Sequence, residues 1–259
     1  MNRPPPQDFP WSLRLLHEGM LSLRIERKGR RLRFDPQSPP ESGDITILTG
    51  GWPEQIEATA QAARAGARPS VVTSAEVGTW LKEQGEIEEL SSRTLIDDLM
   101  IESEPYTPIS YATPKEALHK ASSALRRPDR ALRRLLRRAR GPLQAAPHIC
   151  HITFPDGRRL LHLHLALHSG TPGPWLDRVV ERWAGADWLV VGVDHGEEAA
   201  VLDLLPRLAA RKVLVTDLVS EVRRGLGLPT GLLTPMVDTA RDRGIDAYIV
   251  VSGASMRFE

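Results

Sequence analysis

The chain has little of several things. It has one cysteine, Cys150, in 259 residues, so no disulfide can form within it. That fits a reducing compartment. Neither sign of charge dominates: 34 Lys and Arg stand against 33 Asp and Glu, a formal net charge of +1. No global field draws the protein to nucleic acid or to a membrane surface. Long apolar runs are absent. Trp188–Val193 and Ala247–Val251 have the length of buried strands and are far too short to cross a bilayer. No such run follows the basic residue of MNRPPPQDFPWSLRLL, so a secretory signal is not expected. A Gly-x-Ser-x-Gly elbow and a Walker loop are missing too. GLGLPTG (225–231) has the glycines of a phosphate loop but not the strand before it and helix after it. A soluble, cytoplasmic protein without a membrane partner is expected. At 41% hydrophobic and 26% charged residues, its composition suits one large domain or two small ones.

What is present is a succession of β-rich and βα segments. Residues 1–10 read as a flexible Pro-rich lead. Alternation over Ser12–Leu16 and Met20–Arg27, with a turn at Lys28-Gly29-Arg30, predicts an opening hairpin. Asp44–Leu48 reads as a strand, Glu54–Ala65 as a helix stopped by Gly66, Ser70–Thr73 as a strand and Ala75–Gln84 as a helix. Residues 86–104 are acidic. Residues 115–140 read as a helical stretch broken near Pro128, and RRPDRALRRLLRRAR (126–140) holds eight arginines and one aspartate. Leu132, Leu135, Leu136 and Ala139 mark one face of it. The plain reading is a surface helix with a solvated basic face, paired with the acidic stretch. The sharper one is a partner surface made by Arg126, Arg127, Arg130, Arg133, Arg134, Arg137 and Arg138. Beyond Gly141 a hairpin is expected from Ile149–Phe154 and Arg159–His168. Helices at Pro174–Trp183, Glu197–Ala210 and Pro235–Arg243 then alternate with strands at Trp188–Val193, Val213–Thr216 and Ala247–Val251. Two sheets with helices outside, an α/β layered domain, satisfy this order.

Five stretches carry a resemblance: LLHEGMLSLRIERKGRRLRFDP (15–36), GDITILTGGWPEQIEAT (43–59), DGRRLLHLHLALHSGTPGP (156–174), ADWLVVGVDHG (186–196) and RKVLVTDLVSEVRRGLG (211–227). In order and apolar framework they resemble the metallo-β-lactamase superfamily, and within it the ascorbate-6-phosphate lactonase type. The resemblance implies a four-layer αββα sandwich of two mixed sheets with outer helices. It implies a single domain over 11–259, with a charged helical insertion at about 85–145. For an intact member it also implies metal-dependent hydrolysis of a phosphoester or lactone.

The motif that would carry that chemistry is replaced. With Thr49 on the motif threonine, Gly50, Trp52, Glu54 and Gln55 stand where the family has His, His, Asp and His. Imidazoles and a carboxylate are needed there to bind an ion and lower the pKa of its water. Glycine offers no ligand, Trp cannot ligate and Gln is a poor ligand for zinc. The bridging aspartate falls near Leu165 or Thr171 and the last histidine near Asp217. The ligand between them falls at His148 or His151. His17 matches the opening H-x-G element and is expected to line a remnant pocket. LTGGWPEQIEAT then reads as a retained scaffold turn, tight at its glycines, with Trp52 filling vacated volume.

A relocated metal site is the best catalytic alternative. LHLHLALH (161–168) alternates strictly. On a strand His162, His164, Ala166 and His168 share one face, and His148 or His151 on the adjacent arm could join them around Zn or Mn. Packed or hydrogen-bonded histidines are the plain alternative. Asp177, Asp194 and Glu197 are the carboxylates a fold could bring near. Asp194, His195 and Glu197 also read simply as a helix start. Cys150 reads as a buried small apolar residue. The expected function is a non-catalytic binding or scaffolding protein with no cofactor and with a protein partner or a second copy as ligand. The alternatives are the relocated-site hydrolase and nucleic-acid backbone contact through the Arg-rich helix.

Overall fold

The structure is a computed structural model that describes residues 13–19, 22–27, 30–96, 98–106, 141–142, 145–216, 230, 233–251, 253 and 255–258. The Pro-rich lead, the Arg-rich helix and Asp217 lie outside the described residues.

The first sheet starts as a meander: β1 (Leu13–Gly19), β2 (Ser22–Arg27) and β3 (Arg30–Phe34) pair antiparallel. In β2 Leu23 and Ile25 point inward and are buried, while Arg24 and Glu26 point out. Two βα units follow. β4 (Ile45–Ile47), α1 (Pro53–Arg64), β5 (Ser70–Val72), α2 (Ala75–Gln84) and β6 (Glu88–Leu90) add strands parallel to β3: the 35–44 loop carries the chain back before β4, and α1 and α2 do so before β5 and β6. Pro53 opens α1, where its missing N–H costs nothing. Ser74 caps α2 by accepting the Val77 N–H at 3.3 Å.

The second sheet repeats this plan. β7 (Arg93–Ile96), β8 (Leu99–Pro105), β9 (His148–Thr153) and β10 (Arg159–His162) are antiparallel. Next come α3 (Gly173–Trp183), β11 (Trp188–Gly192), α4 (Glu198–Leu208), β12 (Lys212–Thr216), α5 (Leu233–Asp242) and β13 (Ala247–Val250), whose strands run parallel to β10. β14 (Ser255–Phe258) crosses back to pair with β1. The sheet orders are β14-β1-β2-β3-β4-β5-β6 and β13-β12-β11-β10-β9-β8-β7.

Three apolar clusters define the layers. Leu23, Phe34, Ile47, Ile101, Ile152, Leu160 and Val190 belong to the core between the sheets. Ile56, Ala60, Val77 and Leu81 hold α1 and α2 against Leu48 and Val71. Trp175, Val179, Val201, Leu205, Met236 and Val237 seat α3, α4 and α5 on Leu161, Leu189, Val191 and Val213. The order is helices, sheet, sheet, helices: the four-layer αββα sandwich.

Two expectations fail. Residues 85–106 are not part of a helical insertion: Glu88–Leu90, Arg93–Ile96 and Leu99–Pro105 are strands of the two sheets. Among the described residues, Glu102 and Glu104 of β8 pair with Arg182 of α3 at 2.7 Å and 3.7 Å. The strand predicted to run through His168 ends at His162. Leu163 N–H still donates to Val190 O at 2.8 Å, but His164 takes φ 50° and the chain turns away. Leu163, Leu165, Ala166 and Leu167 are all buried, so both parities of the alternation face protein and no single face results.

Candidate functional site

The ends of β4 and β10 and the start of β9 meet at one edge of the sandwich. His148 N–H donates to Thr49 O at 2.7 Å and Gly192 N–H to His164 O at 2.6 Å, joining the two sheets to their terminal loops. This is the edge where the superfamily resemblance places a metal cradle.

The turn from β4 into α1 is held by a buried polar lock. Asp35 follows β3 at φ 42°, and its N–H donates to Ile47 O at 2.9 Å. Its carboxylate accepts from Thr49 N–H at 2.8 Å, from the Thr49 hydroxyl at 2.5 Å and from Gln55 Nε2 at 3.3 Å. Gln55 Nε2 also donates to Thr49 Oγ1 at 2.8 Å, and Gln55 Oε1 accepts the Trp52 N–H at 3.1 Å. Burial pushes the Asp35 carboxyl up to about 7, although the bonds from Thr49 and Gln55 pull it down. Glycine is required here for space: a Cβ on Gly50 would lie 2.6 Å from Gln55 Oε1, and one on Gly51 would lie 2.6 Å from Pro142 O.

These residues do not fit a divalent metal. Gly50 has no donor, and the Gln55 amide fills the space its side chain would take. Both ends of that amide are already engaged. The Trp52 ring stands edge-on to His164 with centroids 6.5 Å apart. Glu54 leaves one carboxylate, and its carbonyl accepts from Gln37 Nε2 at 2.9 Å. His17 lies on β1 opposite Leu23. Leu165 is buried, and Thr171 is occupied in a turn: its hydroxyl accepts from His168 N–H at 2.8 Å and donates to Ala166 O at 2.9 Å.

The five histidines of the relocated-site expectation do not converge, which corrects that reading. The register of β9 on β10 sets Leu161 opposite His151 and His162 opposite Cys150. Directly opposed residues share a face, so His151 and His162 lie on opposite faces of the sheet. His151 stacks on Trp183 at 5.6 Å under α3, its Nδ1 3.5 Å from Glu102 Oε2. His162 enters the core between the sheets and stacks on Phe34 at 4.6 Å. His164 meets the Tyr106 hydroxyl through Nδ1. The Nδ1 of His168 accepts the Gly170 N–H at 3.0 Å, and His148 is half-buried at the start of β9. Among the described residues no three of His, Cys, Asp or Glu are placed to hold a metal ion.

Burial sets the protonation of these rings. It lowers His162 and His164 to about 3. His151 falls to about 4, where Glu102 opposes the burial. His148 is lowered as well, against the pull of Glu76. The Cys150 thiol is pushed up by burial, away from reactive thiolate. The carboxylates named as possible helpers serve elsewhere. Asp194 accepts its neighbour's N–H, from His195, at 2.8 Å. Glu197 accepts from Ser169 N–H at 2.6 Å and the Ser169 hydroxyl at 3.1 Å, and Asp177 pairs with Arg207 on α4.

Asp35 and Tyr106 are the site residues that the sequence did not single out. Asp35 lies at the Asp-Pro end of LLHEGMLSLRIERKGRRLRFDP, the opening hairpin. Tyr106 carried no signal.

No sequence-family profile matches the chain, and no curated protein matches it. Solved structures do. A metallo hydrolase from the archaeon Ignicoccus hospitalis is 14% identical with a TM-score of 0.62, covering 95% of this chain and 98% of that one. An isothiocyanate hydrolase from Delia radicum gut bacteria is 13% identical with a TM-score of 0.59, covering 95% and 99%. A possible metal-dependent hydrolase from Veillonella parvula is 8% identical with a TM-score of 0.59, covering 95% and 100%. The fold is metallo-β-lactamase-like. Identities this low establish the fold and nothing of the chemistry. No helix among the described residues is long and apolar enough to cross a membrane.

Proposed function

We propose that this chain is a non-catalytic binding or scaffolding protein on a metallo-hydrolase fold, a degenerate relative of the lactonase-type enzymes. The observation that carries the reading is the Asp35–Thr49–Gln55 lock. Every polar atom that the β4–α1 turn could offer a ligand from Thr49 and Gln55 is used to hold the turn itself. Gly50 and Gln55 are matched to each other, since the amide fits only where a side chain is missing. A turn rebuilt in this way has become architecture. Its ligand would be a protein partner or a second copy.

A hydrolase remains the second reading. It is favoured by the metal-dependent hydrolases that share the fold and by buried imidazoles near the same edge. A panel of phosphoester and lactone substrates, run with added zinc or manganese, separates the two. The scaffold reading expects no turnover above that of the added metal without protein. Turnover that requires metal and is lost in His162→Ala or His164→Ala overturns it.

A further inference from the structure

Among the described residues, three buried ring nitrogens meet no hydrogen-bond partner of good geometry: both nitrogens of His162, whose ring otherwise makes polar contact only with its own backbone, and Nε2 of His164. The two residues are 0% and 3% exposed. An unpaired buried polar atom costs roughly 1–3 kcal/mol, and a native fold that carries several in one place calls for an occupant. Burial also keeps both rings neutral, so their lone pairs are available.

The centroid spacing matches that of two rings sharing one ion. Because β10 ends at His162 and His164 turns at φ 50°, the rings do not project in parallel as they would along a strand. Their centroids lie 6.4 Å apart with a 38° tilt. Two imidazoles that bind one ion from opposite sides through bonds of about 2 Å set their centroids roughly 6 Å apart. The Tyr106 hydroxyl at His164 Nδ1 is the outer contact that fixes a ligand ring. With the proton on Nδ1 and the Tyr106 oxygen accepting, Nε2 carries the lone pair.

The donor set selects the ion. Phe34 stacks on one ring and Trp52 stands edge-on to the other. Among the described residues no carboxylate or thiolate completes a cluster with the pair. A dication held by two neutral donors would keep most of its desolvation penalty. A soft monovalent cation with a full d shell carries half the charge and accepts two donors. We propose that His162 and His164 form a two-imidazole site for Cu(I). This goes beyond the non-catalytic reading and does not depend on it.

The test is anaerobic titration of the full chain with Cu(I) against a chromogenic chelator, followed by X-ray absorption of the loaded wild-type protein. One equivalent is expected, bound through two nitrogen donors. It should be retained in Cys150→Ser and lost in His162→Phe and His164→Phe. No binding by the wild type overturns the proposal, as does binding that survives both histidine changes or a sulfur donor in the spectrum. The wild-type spectrum decides even where a histidine variant fails to fold.

Discussion

Acid should unfold this protein through its buried histidines. His151, His162 and His164 are held neutral in the fold, lowered by burial to about 4, 3 and 3. In the unfolded chain each regains a value of about 6.5. From pH 6.5 down to about 4 the unfolded chain therefore binds three more protons at these sites, and stability falls with pH. Asp35 acts in the opposite sense. Its folded value is near 7 and its unfolded value near 4, so across the same window the fold holds a proton that the unfolded chain has lost. Acidification stabilises the fold through this carboxyl. A fully separated titration is worth about 1.4 kcal/mol per pH unit, so three histidines against one carboxyl leave a net loss of about 3 kcal/mol between pH 6.5 and 5. That is a large share of the roughly 5–15 kcal/mol that holds a domain together. Urea unfolding of chelator-treated protein at pH 5, 5.5, 6, 6.5 and 7 measures it. His162→Phe keeps the stacked ring and removes one titration, so the net loss should fall to about half. A pH profile in the variant identical to that of the wild type would refute the reasoning.

Other outcomes are expected from the same contacts. Gly50→Ala should cost about 1–3 kcal/mol, because the new Cβ meets Gln55 Oε1 at 2.6 Å. In a Gln55→Ala background that cost should largely vanish, and a double-mutant cycle by urea denaturation reads the coupling. Trp183→Ala should destabilise by about 3–5 kcal/mol, since the ring is buried under α3 and stacks on His151. Thermal unfolding checks it. Cys150 should react with a thiol reagent only as fast as the chain unfolds, because its thiol is buried and raised in pKa; rapid modification of native protein would contradict its placement.

Much of the fold was legible in the sequence because periodicity and turn chemistry agree with it. Trp188–Gly192 is an unbroken apolar run because it is a central parallel strand covered on both faces. Pro155-Asp156-Gly157 marks the turn between β9 and β10. Edge strands were the harder case. Glu88–Leu90 and Arg93–Ile96 are half solvated, so their charges resemble those of a loop. The 161–168 alternation misled because periodicity reports a pattern and not a backbone path: the chain turns at His164, φ 50°, and leaves the ladder after its bonds to Val190 and Gly192.

Of the site, the missing ligands at Gly50 and Gln55 could be read directly, since chemistry excludes them without any geometry. The Asp35–Gln55 contact joins residues 20 apart and the Tyr106–His164 contact residues 58 apart. No local pattern encodes either. The separation of His151 from His162 depends on hairpin register, where one residue decides the face.

The central claim is that the β4–α1 turn is architecture and not a cradle for a divalent metal. Its most direct test is elemental analysis of tag-free protein after dialysis against trace zinc, manganese and iron. The account predicts a folded protein with none of the three near stoichiometry. Near-stoichiometric zinc, manganese or iron that is released by Glu54→Ala or Gln55→Ala would contradict it.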